Sequence, residues 1–377
     1  MSSPARDRPV LLAAGGTGGH LFPAEALARV LQARGVAVEL MTDTRALAYA
    51  GTFPARAVHA VPSATPSSRS LVTKGKATLQ LGLGALKAYR LLATIRPLVV
   101  VGFGGYPTVP PLLAATWRKL PVLLHEQNAV MGRANRFLAG KATRIATGFP
   151  HLGKAGEAIT AKATHTGNPI RPAVLVAAAL PFPSLTDDTL RLLVTGGSQG
   201  ARVMADVVPP ALVSLPAELR ARLRVVQQAR GEDETRVRGA YAGADIAAEV
   251  APFFSNLPER IAQAHLVIGR SGASTVSELA IIGRPSILVP LPGALDQDQA
   301  ANAAILGDVG AAAVVPQKDF TPALLAAEVK RCIDDPSHLA ERGAAAKQAG
   351  EPRGAERLAD LVLSLAKGAR EVPETRS

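Results

Sequence analysis

One nine-residue pattern occurs twice in this chain of 377 residues, and it constrains the fold more than any other feature. Leu11-Leu12-Ala13-Ala14-Gly15-Gly16-Thr17-Gly18-Gly19 and Leu192-Leu193-Val194-Thr195-Gly196-Gly197-Ser198-Gln199-Gly200 both read L-L-x-x-G-G-[S/T]-x-G. In the first copy an apolar run enters the turn. The stretch Pro23-Ala24-Glu25-Ala26-Leu27-Ala28-Arg29-Val30-Leu31 then follows with apolar residues at helical spacing, which reads as strand, glycine turn, helix. Such a turn aims backbone N–H groups and a helix N-terminus at one point, which suits a phosphate. One copy per half predicts two similar α/β domains with their turns on opposite sides of a cleft, a common place for a ligand.

Other strand-end turns support the same layout. Leu98-Val99-Val100-Val101 leads into Gly102-Phe103-Gly104-Gly105-Tyr106-Pro107, and Pro121-Val122-Leu123-Leu124 into His125-Glu126-Gln127-Asn128. His265-Leu266-Val267-Ile268-Gly269 is followed by Arg270-Ser271-Gly272-Ala273-Ser274-Thr275-Val276-Ser277-Glu278. In open α/β sheets ligands bind beyond the carboxyl ends of the strands, where these turns sit. Thr275-x-x-Glu278 fits a capping box. A carboxylate in the first turn of such a helix would equally hold a pair of ribose hydroxyls, and spacing leaves both readings open. Asp43, after the strand Val36 to Met41, reads as a turn residue. The first turn does not match G-x-G-x-x-G, because Leu21 occupies the third glycine position.

The stretch 54–70, rich in Pro, Ser and Ala, reads as an exposed loop. After it Leu79, Leu83 and Leu86 share one helix face, flanked by Lys74, Lys76, Lys87 and Arg90. A core-facing helix is the first reading, and a membrane-surface helix the second. Residues 1–168 are read as the N-terminal domain, 169–189 as a linker, 190–350 as the C-terminal domain and 351–377 as a returning helix with a frayed tail.

Charge separates the halves. Residues 1–168 hold 20 Lys/Arg against 6 Asp/Glu, and residues 169–377 hold 22 against 24. A basic half points to an anionic partner, nucleic acid or lipid. Aromatic content of 4% argues against single-strand binding by base stacking. The single cysteine, Cys332, excludes an internal disulfide and a cysteine metal cluster and fits a reducing compartment. His125-Glu126-Gln127-Asn128-Ala129 is not HExxH, and no metal site is expected. No apolar run is long enough for a signal h-region or a membrane span, so a soluble or peripheral protein is expected.

Taken in order, these turns resemble the MurG family of bacterial N-acetylglucosaminyltransferases, which convert lipid I to lipid II in peptidoglycan synthesis. The motifs are Gly15-Gly16-Thr17-Gly18-Gly19-His20, Gly102 to Tyr106, His125 to Asn128, Gly167-Asn168-Pro169-Ile170-Arg171, Gly196 to Ala201, Arg270 to Glu278, and Asp296-x-x-Gln299-x-x-Asn302. The resemblance implies a glycosyltransferase-B fold, two Rossmann-like domains facing across a cleft, with no cofactor and no required metal. It implies UDP-N-acetylglucosamine as donor and undecaprenyl-pyrophosphoryl-N-acetylmuramyl-pentapeptide as acceptor. Substrate contacts carry over to Thr17, Gly18, Gly19, Tyr106, Asn128, Arg171, Ser198, Phe254, Ala273, Ser274, Thr275, Val276, Ser277, Glu278 and Gln299. Asp298 stands where relatives often have a second glutamine. The implied catalytic set is His20 as base, Arg171 against the leaving charge and Glu278 on the ribose. An anionic membrane on the cytoplasmic side would face the basic half, with Trp117, Arg118 and Lys119 joining the 74–90 helix. Other cell-wall synthesis enzymes are the implied protein partners, and nucleic acid is not expected. Two other readings stay open: another UDP-sugar enzyme of this fold, such as a non-hydrolysing epimerase, and a basic nucleotide- or nucleic-acid-binding module.

Overall fold

The computed structural model describes residues 8–15, 18–44, 53–65, 71–184, 188–197, 200–293 and 297–371. The chain divides into two compact units. The first holds residues Met1–Arg171 and Arg353–Ser377, and the second holds Pro172–Pro352.

The first unit is a seven-stranded parallel sheet. Its strands are β1 (Val10–Ala13), β2 (Val38–Thr42), β3 (Ala57–Ala60), β4 (Val99–Gly102), β5 (Val122–Glu126), β6 (Arg144–Thr147) and β7 (Ala163–His165). They lie in the order β3-β2-β1-β4-β5-β6-β7. Successive side chains of a strand alternate between faces, and a parallel sheet needs both faces covered. The strands comply. Val10, Leu12, Leu40 and Val101 pack on one side with Leu27, Leu31, Leu358 and Val362. Leu11, Met41, Val100 and Leu124 pack on the other with Leu92, Leu112 and Leu138. Each such fully buried aliphatic side chain contributes roughly 1.5–3 kcal/mol. The first helix, Gly18–Ala33, is closed by Gly35 in the left-handed conformation (φ 74°), with Val36 N–H donating to the Leu31 carbonyl at 3.0 Å. The last helix, Gly354–Glu371, lies on it and supplies Leu358, Ala359, Val362 and Ala366 to the same core.

The second unit repeats the plan with six parallel strands: β8 (Leu190–Thr195), β9 (Leu223–Gln228), β10 (Ala247–Ala251), β11 (Leu266–Gly269), β12 (Ser286–Leu288) and β13 (Ala312–Val314). Their order is β10-β9-β8-β11-β12-β13. In each unit the strand that carries the glycine pattern, β1 or β8, sits where the winding direction reverses, beside β4 or β11. That switch point is where open α/β sheets leave a crevice.

The stretch 169–189 contains the helix Pro172–Ala178, which starts on proline at a position where the missing N–H costs nothing. Two sequence expectations are corrected. The stretch 54–70 contains β3, paired parallel with β2. The leucine face of the helix Leu71–Ile95 does not face the core: Leu79 is 65% exposed and Leu83 55%, while Ala77, Gly84, Ala85, Ala88 and Leu92 point inward. The inward stripe is small because the backbone approaches closely. A Cβ on Gly84 would lie 2.1 Å from the Pro62 carbonyl oxygen. Trp117, at the end of the neighbouring helix Val109–Trp117, is 57% exposed. Among the described residues no helix is long and apolar enough to cross a membrane.

Candidate functional site

In the first unit the turns after β1, β4 and β5 converge. Gly15 leaves no room for a side chain: a Cβ there would lie 2.9 Å from both Asp43 Oδ1 and Thr42 Oγ1. Asp43 is buried beside this turn, and it is a packing partner of the glycine. Thr17 lies outside the described residues, and Gly18 and Gly19 open the helix whose first turn carries His20. The His20 ring rests on the turn after β4. A Cβ on Gly105 would come within 3.3 Å of His20 Cε1, and one on Gly104 within 3.6 Å of its Cδ2. Both glycines have positive φ, 84° at Gly104 and 73° at Gly105. Tyr106 begins the single helical turn that follows. Burial lowers the His20 pKa from its ordinary value, which favours the neutral, proton-accepting ring.

After β5 a buried carboxylate organises the loop. Glu126 accepts from the backbone N–H of Asn128 (3.0 Å) and of Gly132 (3.0 Å), and from Asn135 Nδ2 (2.8 Å). Asn128 Nδ2 also donates to it at 3.3 Å, so the expected substrate residue is aimed by Glu126. Burial raises the Glu126 pKa, against the pull of these donors. Gln127 Nε2 donates to the Phe103 carbonyl (3.1 Å) and Asn168 Nδ2 to the Gln127 carbonyl (3.0 Å), which ties the turns after β4 and β5 to segment 167–171. At the end of that segment the Arg171 guanidinium lies 4.9 Å over the Phe22 ring, two residues from His20. His125 is fully buried and its pKa falls to about 4. Its Nε2 lies 3.5 Å from the Gly167 carbonyl, and its Nδ1 has no partner among the described residues.

In the second unit the glycine turn after β8 leads into the helix Arg202–Val213. Ser198 lies outside the described residues. Gly196 sits against the start of the helix, where a Cβ would lie 2.1 Å from Ala201 N, and Gly197 and Gly200 have φ of 79° and 66°. Gln228 and Arg230, at the end of β9, brace this turn. Gln228 Oε1 accepts from Gly196 N–H (3.0 Å), and Arg230 Nη2 donates to the Gly200 carbonyl (3.3 Å). Sequence reasoning missed both, since nothing local marks a side chain that serves a turn some thirty residues away.

The turn after β11 starts the helix Ala273–Ile282, which carries Ala273, Ser274, Thr275, Val276, Ser277 and Glu278 in its first two turns. The capping box is not formed. Gly272 is the N-cap and Thr275 is already the third helical residue, which leaves Glu278 buried in the second turn. Ser271 Oγ donates to the Gln299 carbonyl (2.8 Å) and Asn302 Nδ2 to the Ser271 carbonyl (3.2 Å), joining this turn to the helix Asp298–Gly307. Gln299 Oε1 accepts from Leu291 N–H at 3.0 Å. Phe254 is 9% exposed and covered by the Arg260 guanidinium, whereas its neighbour Phe253 is 70% exposed. Among the described residues no group of three or more His, Cys, Asp or Glu could hold a metal ion.

The arrangement offers a partly buried neutral imidazole in one unit, and in the other a glycine turn and two helix starts at adjacent strand ends. Comparison with known proteins identifies the pattern. Residues 10–147 match the glycosyltransferase family 28 N-terminal domain, and residues 191–358 match its C-terminal domain. A UDP-N-acetylglucosamine–N-acetylmuramyl-(pentapeptide) pyrophosphoryl-undecaprenol N-acetylglucosamine transferase of Methylobacterium sp. (strain 4-46) is 60% identical over 359 residues, 95% of this chain and 96% of that one. One of the same name from Rhodopseudomonas palustris is 57% identical over 359 residues, 95% and 98% of the two chains. The crystal structure of Acinetobacter baumannii MurG superposes with a TM-score of 0.77 at 29% identity, covering 95% and 99%. A UDP-GlcNAc 2-epimerase from Neisseria meningitidis shares the fold (TM-score 0.64) at 12% identity, covering 94% and 100%.

Proposed function

The chain belongs to glycosyltransferase family 28, and from that premise we infer that it moves N-acetylglucosamine from UDP-N-acetylglucosamine to a lipid-linked N-acetylmuramyl-pentapeptide. The observation that carries this reading is the 57–60% identity, over 95% of the chain, to transferases bearing that name. The shared fold of the epimerases, at 12% identity, carries no activity.

In the proposed reaction the acceptor C4 hydroxyl attacks C1 of the donor sugar. The new O–C1 bond forms as the C1–phosphate oxygen bond breaks, with charge spreading into an oxocarbenium-like ring. His20 takes the hydroxyl proton, and its burial-lowered pKa keeps it neutral for that task. UDP leaves with the bonding electrons, and donors must meet its charge. Arg171 is one. The N–H groups of Gly196 and Gly197 are already given to Gln228 Oε1 and Thr195 Oγ1. The Gly200 N–H is likewise given to the Gly197 carbonyl. The donors we assign to the leaving charge are therefore Ser198, as the resemblance implies, and the first turn of the helix Arg202–Val213. Glu278 holds the ribose hydroxyls from the helix Ala273–Ile282, whose N-terminal residues line the nucleotide, and Gln299 meets the sugar. Tyr106, and Asn128 as a donor contact, stand on the same two turns that hold His20 and Glu126 in place.

The exposed Leu79, Leu83, Leu86 and Trp117, with Lys76, Lys87, Arg90, Arg118 and Lys119 on the same two helices and the turn after them, form the face that meets an anionic membrane. This reading makes the protein peripheral, on the cytoplasmic face where a nucleotide donor is found. The test is transfer of labelled N-acetylglucosamine to a lipid-linked muramyl-pentapeptide acceptor. Product that depends on the acceptor is expected. Epimerised UDP-sugar formed without acceptor, and no transfer with it, would overturn the reading.

A further inference from the structure

We propose that Gln228 is a positioning residue for the donor nucleotide, setting the spacing between the loop that meets its pyrophosphate and the segment 252–254, whose Phe254 falls, by the family resemblance, where relatives place an apolar residue near the uracil. The inference rests on the UDP-sugar reading above and assigns a part of that site to a side chain that touches neither the sugar nor the reacting atoms.

Gln228 is the last residue of β9, the strand between β8 and β10, and it is buried. A glutamine amide offers two acceptor and two donor positions, and here all four are used. Oε1 accepts from Gly196 N–H at 3.0 Å and from Thr195 Oγ1 at 3.1 Å. Nε2 donates to the Gly197 carbonyl at 3.1 Å and to the Pro252 carbonyl at 3.2 Å. Three of these partners belong to the end of β8 and its glycine turn. The fourth opens the segment 252–254 that follows β10. One planar group therefore joins the two loops, and its fixed geometry gives them one separation.

The segment is held from its other end by a second device. The Arg260 guanidinium lies 4.3 Å over the Phe254 ring. It is kept flat there by paired bonds to Glu249, each 2.7 Å, and by its Nε bond to Asn256 Oδ1 at 2.9 Å. With the Pro252 carbonyl fixed by Gln228 and the Phe254 ring fixed by Arg260, the base-side segment is ordered before any nucleotide arrives. A ligand that spans both loops then does not have to order them on binding, and that ordering cost is subtracted from affinity when it is incurred.

The full-length protein is titrated calorimetrically with UDP and with UDP-N-acetylglucosamine, alongside Gln228→Met, Gln228→Glu and Thr195→Val. Gln228→Met keeps the length and loses all four bonds. Gln228→Glu keeps the two acceptor contacts and turns a carboxylate oxygen on the carbonyls of Gly197 and Pro252. Both are expected to weaken UDP about tenfold or more, with KM for the acceptor within about twofold of wild type. Thr195→Val removes one of the four partners of Gln228 together with the acceptor of the Gly197 N–H, and decides the matter where a Gln228 variant does not fold; a two- to threefold loss is expected. Folded variants that bind UDP with wild-type affinity would overturn the proposal, as would an equal loss of acceptor and donor affinity, the mark of a general structural role. A wild-type protein that binds no UDP-sugar would overturn the functional reading itself, an outcome distinct from both.

Discussion

Substituting Gly105 by alanine tests the link between backbone geometry and the proposed base. Gly105 has φ 73° and ψ 161°, a region that only glycine occupies without strain. Alanine there costs roughly 1–3 kcal/mol from the backbone alone. Its Cβ would also stand 3.3 Å from His20 Cε1 and 3.5 Å from both His20 Nε2 and Pro107 Cδ, so the ring must move by a few tenths of an ångström. A misplacement of about 1 Å can cost on the order of a hundredfold in rate, so this smaller shift is expected to cost about tenfold. The assay pairs urea unfolding with steady-state transfer at saturating donor and acceptor. Gly105→Ala should lose about 2 kcal/mol of stability and about tenfold in kcat, with UDP affinity unchanged. Gly140→Ala is the control: its φ is −60° and nothing lies within 4 Å of a Cβ there, so both readings should stay near wild type. A Gly105→Ala protein with wild-type stability and kcat would refute the reasoning. Lost stability with unchanged kcat would keep the strain argument and remove His20 from the reaction.

Because burial lowers the His20 pKa, the acid limb of kcat/KM should lie below pH 6.5; a limb at or above the ordinary histidine value, or a His20→Ala enzyme with undiminished kcat, would exclude it as base. His125, with its pKa lowered to about 4, binds a proton on unfolding at pH values between about 4 and 6.5. Its contribution to stability is therefore complete above pH 6.5 and falls by about 3 kcal/mol as pH drops to 4. Subtracting the urea stability curve of His125→Phe should isolate that slope, and parallel curves would contradict it. Charge reversal at Lys76, Arg118 and Lys119, combined with Leu83→Glu, should abolish flotation with anionic vesicles while leaving UDP affinity intact; undiminished flotation would exclude the patch.

The two strand–turn–helix entries were legible because the glycine pattern and the strand periodicity both act over a few residues. What the sequence reading missed depends on partners far along the chain. The leucines of the helix Leu71–Ile95 look like a core stripe. The face that packs is instead the one on which Gly84 lets the backbone meet Pro62, and periodicity cannot tell an inward small stripe from an outward large one. Strand β3 was hidden because Ala57-Val58-His59-Ala60 is short and, lying at the sheet edge, only partly buried. Thr275 and Glu278 have capping-box spacing, but Gly272 begins the helix three residues earlier. Glu126, Gln228 and Arg260 gain their meaning from hydrogen bonds that join separate segments, which no local pattern announces.

The helix Gly354–Glu371 completes the core of the first unit, although the whole second unit, Pro172–Pro352, is made before it. Synthesis on the ribosome therefore delivers the units out of numerical order. Residues 172–352 emerge as one uninterrupted stretch, free to reach their final packing while the sheet begun at Val10 still lacks Leu358, Ala359, Val362 and Ala366. The half of the enzyme that is translated first is the half that is finished last, and nascent chains stalled before residue 354 present that apolar seam to chaperones.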